Sequence, residues 1–159
     1  MARKQTFTLE FTPDYDFLLL AIYCAYRDYK LCFELNRALG SGLQRMADLE
    51  MKMDKKGSTG LFPYFYCLTE DEEEMYLVSN RGSTGHFIPE LRQADFFLLI
   101  KNQSRYTSSE KLLKKILSLR IVTSAVEIPA GELKSAENFL LFEPVPDTEE
   151  EKPKLPPVI

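Results

Sequence analysis

Phe17–Tyr26 reads FLLLAIYCAY, an uncharged run whose reading decides the fold. An apolar run of this length fits a buried helix or a central strand, and periodicity cannot separate the two. Leu and Ala dominate it and β-branched residues are scarce, which favours a helix. It is about half the ~20 residues that a membrane-crossing helix needs. Upstream, Thr6–Phe11 alternates Phe7, Leu9 and Phe11 with Thr6, Thr8 and Glu10, the pattern of a half-buried strand. TPDYD breaks that strand and offers Thr12 and Asp14 as helix caps. Downstream, Leu31, Leu35, Ala38 and Leu39 form an apolar helical stripe opposite Arg27, Lys30, Glu34 and Arg37, and Gly40 supplies the stop.

The chain has 159 residues, 45% of them hydrophobic and 28% charged, the composition of one globular domain. Its net charge of −4 argues against a dedicated nucleic-acid binder, whose footprint is strongly basic. Cys24, Cys32 and Cys67 lie among apolar neighbours at spacings that suit neither a zinc site nor a redox pair, so no metal is expected and a reducing compartment fits. MARKQTFTLEF lacks the apolar core and cleavage site of a secretory signal. The expectation is a cytoplasmic protein.

Beyond Gly40 the period changes. ADLEMKM places Leu49, Met51 and Met53 inward, and LFPYFYCL (61–68) is an aromatic strand that Pro63 moves to an edge or a bulge. TEDEEE is a polar turn, MYLVSN (75–80) a strand, GHFI a short strand, and ADFFLLI (94–100) a buried strand. TSSEKLLKKILSLR is a helix with Thr107 and Glu110 at capping-box spacing, and IVTSAVEI (121–128) a last strand. The order predicts an α+β domain over 6–142, with a mainly antiparallel sheet and about three helices on one face. Residues 1–5 and the proline-rich acidic stretch 143–159 are expected to be flexible.

GSTG occurs twice, at Gly57–Gly60 and Gly82–Gly85, each after a basic residue. Alternate turns of a meander share an end of the sheet, so the two loops should be neighbours, with the acidic turn at the far end. Lys55, Lys56, Gly57, Ser58, Arg81, Gly82 and Ser83 would then surround an anion, their backbone N–H groups forming a nest. The competing reading is ordinary turn chemistry, since Gly and Ser are what tight loops require. No P-loop or dinucleotide fingerprint is present, so no cofactor is expected.

In RGSTGHFIPELRQADF (81–96), Pro89 ends a strand, and Glu90 and Asp95 flank a short irregular segment. Such carboxylates commonly cap orphan backbone N–H groups. They could also work as an acid/base pair, with His86 nearby. IPELRQADF resembles the motif of the bacterial IPExxxVDY family: Ile88, Pro89, Glu90 and Asp95 match, Ala94 stands in place of Val and Phe96 in place of Tyr. RDYKLCFELN (27–36) and LKSAENFLLF (133–142) are similar to further stretches of that family. The resemblance spans about 6–142 and implies a self-contained bacterial cytoplasmic domain, with no activity to carry over.

Three functional readings follow. The leading one is a non-catalytic binding or regulatory module with an unknown protein or a small anionic ligand as partner. Its surface would be the aromatic strands (Phe62, Tyr64, Phe65, Tyr66, Tyr76), or the Pro63 edge acting in a homo-oligomer. The second is a small enzyme using His86, Glu90 and Asp95, with Arg81 or Lys56 holding an anionic substrate. The third is nucleic-acid contact through Lys101, Arg105, Lys111, Lys114, Lys115 and Arg120, which stand against Glu110 alone in 101–120.

Overall fold

The computed structural model of the protein describes residues 16–142. The expected Thr6–Phe11 strand, the Thr12 and Asp14 caps and the 143–159 stretch lie outside these residues. Ten elements follow in order: β1 (Phe17–Tyr23), α1 (Asp28–Leu39), β2 (Gln44–Arg45), β3 (Leu49–Lys52), β4 (Thr59–Phe62), β5 (Tyr64–Leu68), β6 (Glu74–Ser79), β7 (Phe96–Lys101), α2 (Ser109–Leu117) and β8 (Ser124–Glu127). Short 3-10 turns cover Pro89–Leu91, Ala130–Glu132 and Ala136–Phe142.

The first seven residues of FLLLAIYCAY, Phe17–Tyr23, are a strand, not the helix that the composition of the run favours. β1 lies inside a six-stranded antiparallel sheet of order β2-β5-β6-β7-β1-β8, bonded to β7 on one side and β8 on the other. Leu18, Leu20 and Ile22 face the helices, while Leu19 and Ala21 face the opposite layer. Both faces are covered, so polar residues have no place in it and the period-2 signal vanishes. Burial of one such leucine contributes about 1.5–3 kcal/mol, several times the intrinsic helix preference it overrides.

The fold is α+β. On one face α1 and α2 bury Leu31, Cys32, Leu35 and Ile116 against Leu20, Leu77 and Leu98. The other face carries the β3–β4 hairpin, the Ile88–Asp95 corner and the 128–142 segment. There Phe87, Phe97, Phe139 and Phe142 stack at centroid distances of 5.3 to 6.0 Å. The aromatic strand expected over 61–68 is two strands. Pro63, which has no N–H to give, sits where the chain leaves the small sheet for the large one, and its carbonyl accepts from the Ser79 N–H. β5 is therefore interior to its sheet, flanked by β2 and β6, and the Pro63 segment is not an open edge.

α1 ends as expected at Gly40, which adopts φ 67°. α2 starts one residue later than its capping box would place it: Ser108, not Thr107, accepts the Lys111 N–H. The Thr107 hydroxyl instead donates to the Glu73 carboxylate. GHFI forms no strand, only a backbone bridge between Arg81 and His86, followed by the fully buried Phe87 and Ile88.

Candidate functional site

The RGSTGHFIPE corner is organised by a residue that the motif does not contain. Asn80, at the end of β6, is fully buried. Its side-chain amide donates to the carbonyls of Leu91 and Ala94, both at 2.9 Å, and its Oδ1 accepts the Ile88 N–H at 2.8 Å. Its backbone N–H donates to Asp95 O, and its carbonyl accepts from the Phe87 N–H. One side chain thus closes the loop from Phe87 to Asp95, whose backbone groups no strand can pair. The sequence signal was available: an Asn directly after an apolar strand and before a glycine loop is a side chain able to mimic backbone.

Glu90 and Asp95 have separate partners. Glu90 accepts from the Ser135 N–H at 2.7 Å and the Ser135 hydroxyl at 2.9 Å, pinning the corner to the segment between the last two 3-10 turns. Burial pushes its carboxyl up, but the bonds from Ser135 and the Lys134 backbone outweigh this and hold it below the ordinary carboxylate range. Asp95 accepts the Cys24 N–H on Oδ2 and the Arg81 guanidinium on Oδ1, both at 2.8 Å, so it caps the end of β1. A cleft of about 330 Å³ beside it is lined by Cys24, Ala25, Tyr26, Ser79, Arg81, Asp95 and Phe96. Neither His86 nor Glu90 is among them, and His86 is half-buried on its own short bridge. The acid/base constellation of His86, Glu90 and Asp95 is not assembled. Ala94 is fully buried and Phe96 is buried on the helix side, so the two positions where the chain departs from the IPExxxVDY pattern serve packing.

The two GSTG loops do meet. Ser83 N–H donates to Leu61 O at 3.0 Å, the Ser83 hydroxyl accepts the Leu61 N–H at 2.9 Å, and the Thr84 hydroxyl donates to Thr59 O at 3.3 Å. Gly82 lies flat on the Phe62 ring, where a Cβ would come within 2.5 Å of Cε2. The N–H groups that were to hold an anion are already used. Ser58 and Lys56 donate to Asp54 Oδ1 at 3.1 and 3.0 Å, and the Ser58 N–H leads the bonds that hold Asp54 below its ordinary value. Gly82 N–H donates to Gly85 O, Gly57 N–H to Asp54 O, and Arg81 is engaged by Asp95. Lys55 and Lys56 are exposed near the loop tip. The first loop is a turn filled by its own carboxylate, Asp54, and the second is a turn closed by its own backbone and by Leu61.

Two other surfaces are open. On α1, Tyr29 and Phe33 are 65% and 56% exposed and line up at helical spacing with Arg37, whose guanidinium lies 5.8 Å from the Phe33 ring, and Tyr26, 53% exposed, lies in the bend just before the helix. Lys30 and Arg37 both reach Glu34, at 3.6 and 3.5 Å. The aromatic strands proposed as a face are mostly interior: Phe62, Phe65 and Tyr76 are buried, and Tyr64 and Tyr66 half-buried. The second surface is a cleft of about 490 Å³ at the other end of β6 and β7, between Leu39–Gly42, the β5–β6 turn and the start of α2. In the basic island, Arg105, Lys111, Lys114, Lys115 and Arg120 are exposed, but Lys101 is buried, 5.7 Å from the Tyr76 ring. All three cysteines are free and buried. Among the described residues no His, Cys, Asp and Glu group could hold a metal, and no helix is long and apolar enough to cross a membrane.

Fold and surfaces together define an α+β domain with a self-satisfied polar corner and, elsewhere, an exposed aromatic pair on α1 and an open cleft at the β5–β6 turn. Compared with family models, curated proteins and solved structures, the chain matches none.

Proposed function

We propose that the protein is a non-catalytic binding module of the bacterial cytoplasm, a member of the IPExxxVDY family, that docks a partner protein through the outer face of α1. The observation that carries this reading is the pair Tyr29 and Phe33, large rings left in water on the outer face of α1, with Tyr26 exposed just before the helix begins, while Leu31, Cys32 and Leu35 on its other face are buried. Tyr and Arg are the residue types that dominate binding energy in protein interfaces. Around the rings stand Arg27, Lys30 and Arg37, against Asp28 and Glu34, and Glu34 is already held by two of these cations. The surface therefore suits an apolar groove rimmed by carboxylates. Three free, buried thiols support a reducing compartment. Family membership is supported by Ile88 and Asp95 both bonding Asn80, with Glu90 bonded to the 133–142 stretch that also resembles the family.

The test compares the wild-type chain with a Tyr29→Ser/Phe33→Ser variant as bait in bacterial cytosol. Both sites are exposed, so thermal stability should change by no more than ~0.5 kcal/mol. The expected result is a protein captured only by the wild type, which when purified binds it with Kd of about 10 μM or tighter. Identical capture by both baits, or no capture by either, would sink the proposal.

A further inference from the structure

The cleft at the β5–β6 turn is independent of the α1 face, and its construction points to a ligand. Its walls are held firmly. Asn36 accepts from the Ser41 hydroxyl at 2.8 Å and the Leu43 N–H at 2.9 Å and donates to Leu43 O, fixing the loop after α1. Glu73, 5% exposed, accepts the Ser104 N–H at 2.8 Å and the Thr107 hydroxyl, tying the β5–β6 turn to the start of α2. The Asn102 side chain donates to Glu72 O across the same junction, with both residues at positive φ. Cys67, Met75, Ile100 and Leu112 give the cleft an apolar floor.

The charges on its rims are segregated. Lys111 and Lys115, one helical turn apart, stand on the α2 side, and Glu70 and Asp71 on the turn side. None of the four takes part in an ion pair among the described residues, although all four border one cavity. Opposite charges that share a cleft without meeting are complementary to a molecule that carries both signs at its two ends. The volume of about 490 Å³ falls within the ~300–1,000 Å³ range of small-molecule sites.

We infer that this cleft binds a small zwitterion of dipeptide size, its carboxylate toward Lys111 and Lys115, its ammonium toward Glu70 and Asp71, and its side chains on the apolar floor. A single-sign anion is disfavoured by the acidic rim, and a polycation by the lysines. The reaction class that would supply such a ligand is hydrolysis of longer peptides.

The probe is alanyl-leucine with free termini, beside its N-acetyl and C-amide forms, titrated into the full chain while backbone amide NMR shifts are followed. The free dipeptide is expected to saturate shifts at Gly42, Thr69 and Ser108, and each blocked form to bind at least ~10-fold more weakly, since each leaves one rim unpaired. Lys111→Glu/Lys115→Glu should weaken the free dipeptide to a similar degree. Gly42→Phe should also abolish binding, because a Cβ at Gly42 meets only open space and can be added without strain. No saturable shift at millimolar dipeptide, or equal affinity for free and blocked forms, overturns the inference. The α1 variant Tyr29→Ser/Phe33→Ser should bind the dipeptide as the wild type does, which separates this site from the docking surface.

Discussion

The two ends of the β6–β7 pair are built from similar materials and end in opposite states. At the Ser79–Phe96 end, Asn80, Glu90, Asp95 and Arg81 are all spent on the protein's own backbone and side chains. At the Glu74–Lys101 end, one buried carboxylate, Glu73, is spent in the same way, while Glu70, Asp71, Lys111 and Lys115 stand around a cavity without ion pairs. Polar side chains brought together by a motif are therefore not evidence of chemistry. What matters is whether the fold leaves them anything unmet to bind.

Substitutions should separate the two ends by their cost. Asn80→Ala is expected to be the most damaging: it strands the Ile88 N–H and the Ala94 carbonyl in the interior and leaves the Leu91 carbonyl with the Ala94 N–H alone, at about 4 kcal/mol in total. Urea unfolding reads this as a lower midpoint at unchanged slope. A loss under ~1 kcal/mol would mean that the corner does not depend on Asn80. Asp95→Ala comes next, at about 1–2 kcal/mol, because it uncaps the Cys24 N–H and releases Arg81. An unchanged melting temperature would refute the capping role.

Glu90 sharpens the comparison through pH. Its folded pKa lies below the ordinary value, so its contribution is complete above the unfolded pKa of about 4.3 and is lost as pH falls through the lower folded value. Glu90→Gln should accordingly be slightly less stable than wild type at neutral pH, with the gap closing in strong acid. A gap that stays constant across that window would show that its bonds to Ser135 do not depend on charge. Smallest of all should be Lys111→Glu/Lys115→Glu, within ~0.5 kcal/mol of wild type, since these exposed side chains support nothing in the fold. A large loss there would make the lysines structural and erase the distinction between the two ends.

Much of the framework was legible in advance. The α1 stripe with its Gly40 stop, the α2 pattern, the buried run of β7 and the acidic turn all carry local signals that their environment reinforces. The two GSTG loops meet as expected, but not as alternate turns of one meander, since the first closes the separate β3–β4 hairpin and the second closes only the Arg81–His86 bridge. β1 was not legible, because a strand covered on both faces has the same composition as a buried helix. Nor was the shift from Thr107 to Ser108 at the α2 cap, which turns on a distant carboxylate, Glu73, taking the Thr107 hydroxyl.

By itself, then, the sequence determined the class, α+β, and the places where backbone must turn, since glycine, proline and apolar periodicity act on near neighbours. Only the tertiary structure decided which polar groups are consumed and which are left over. Asn80 reaches Leu91 and Ala94, Glu90 reaches Ser135, and Asp95 reaches Cys24. Hydrogen bonds between residues so far apart in the chain exist only once packing has fixed their distance and burial has removed the competing water.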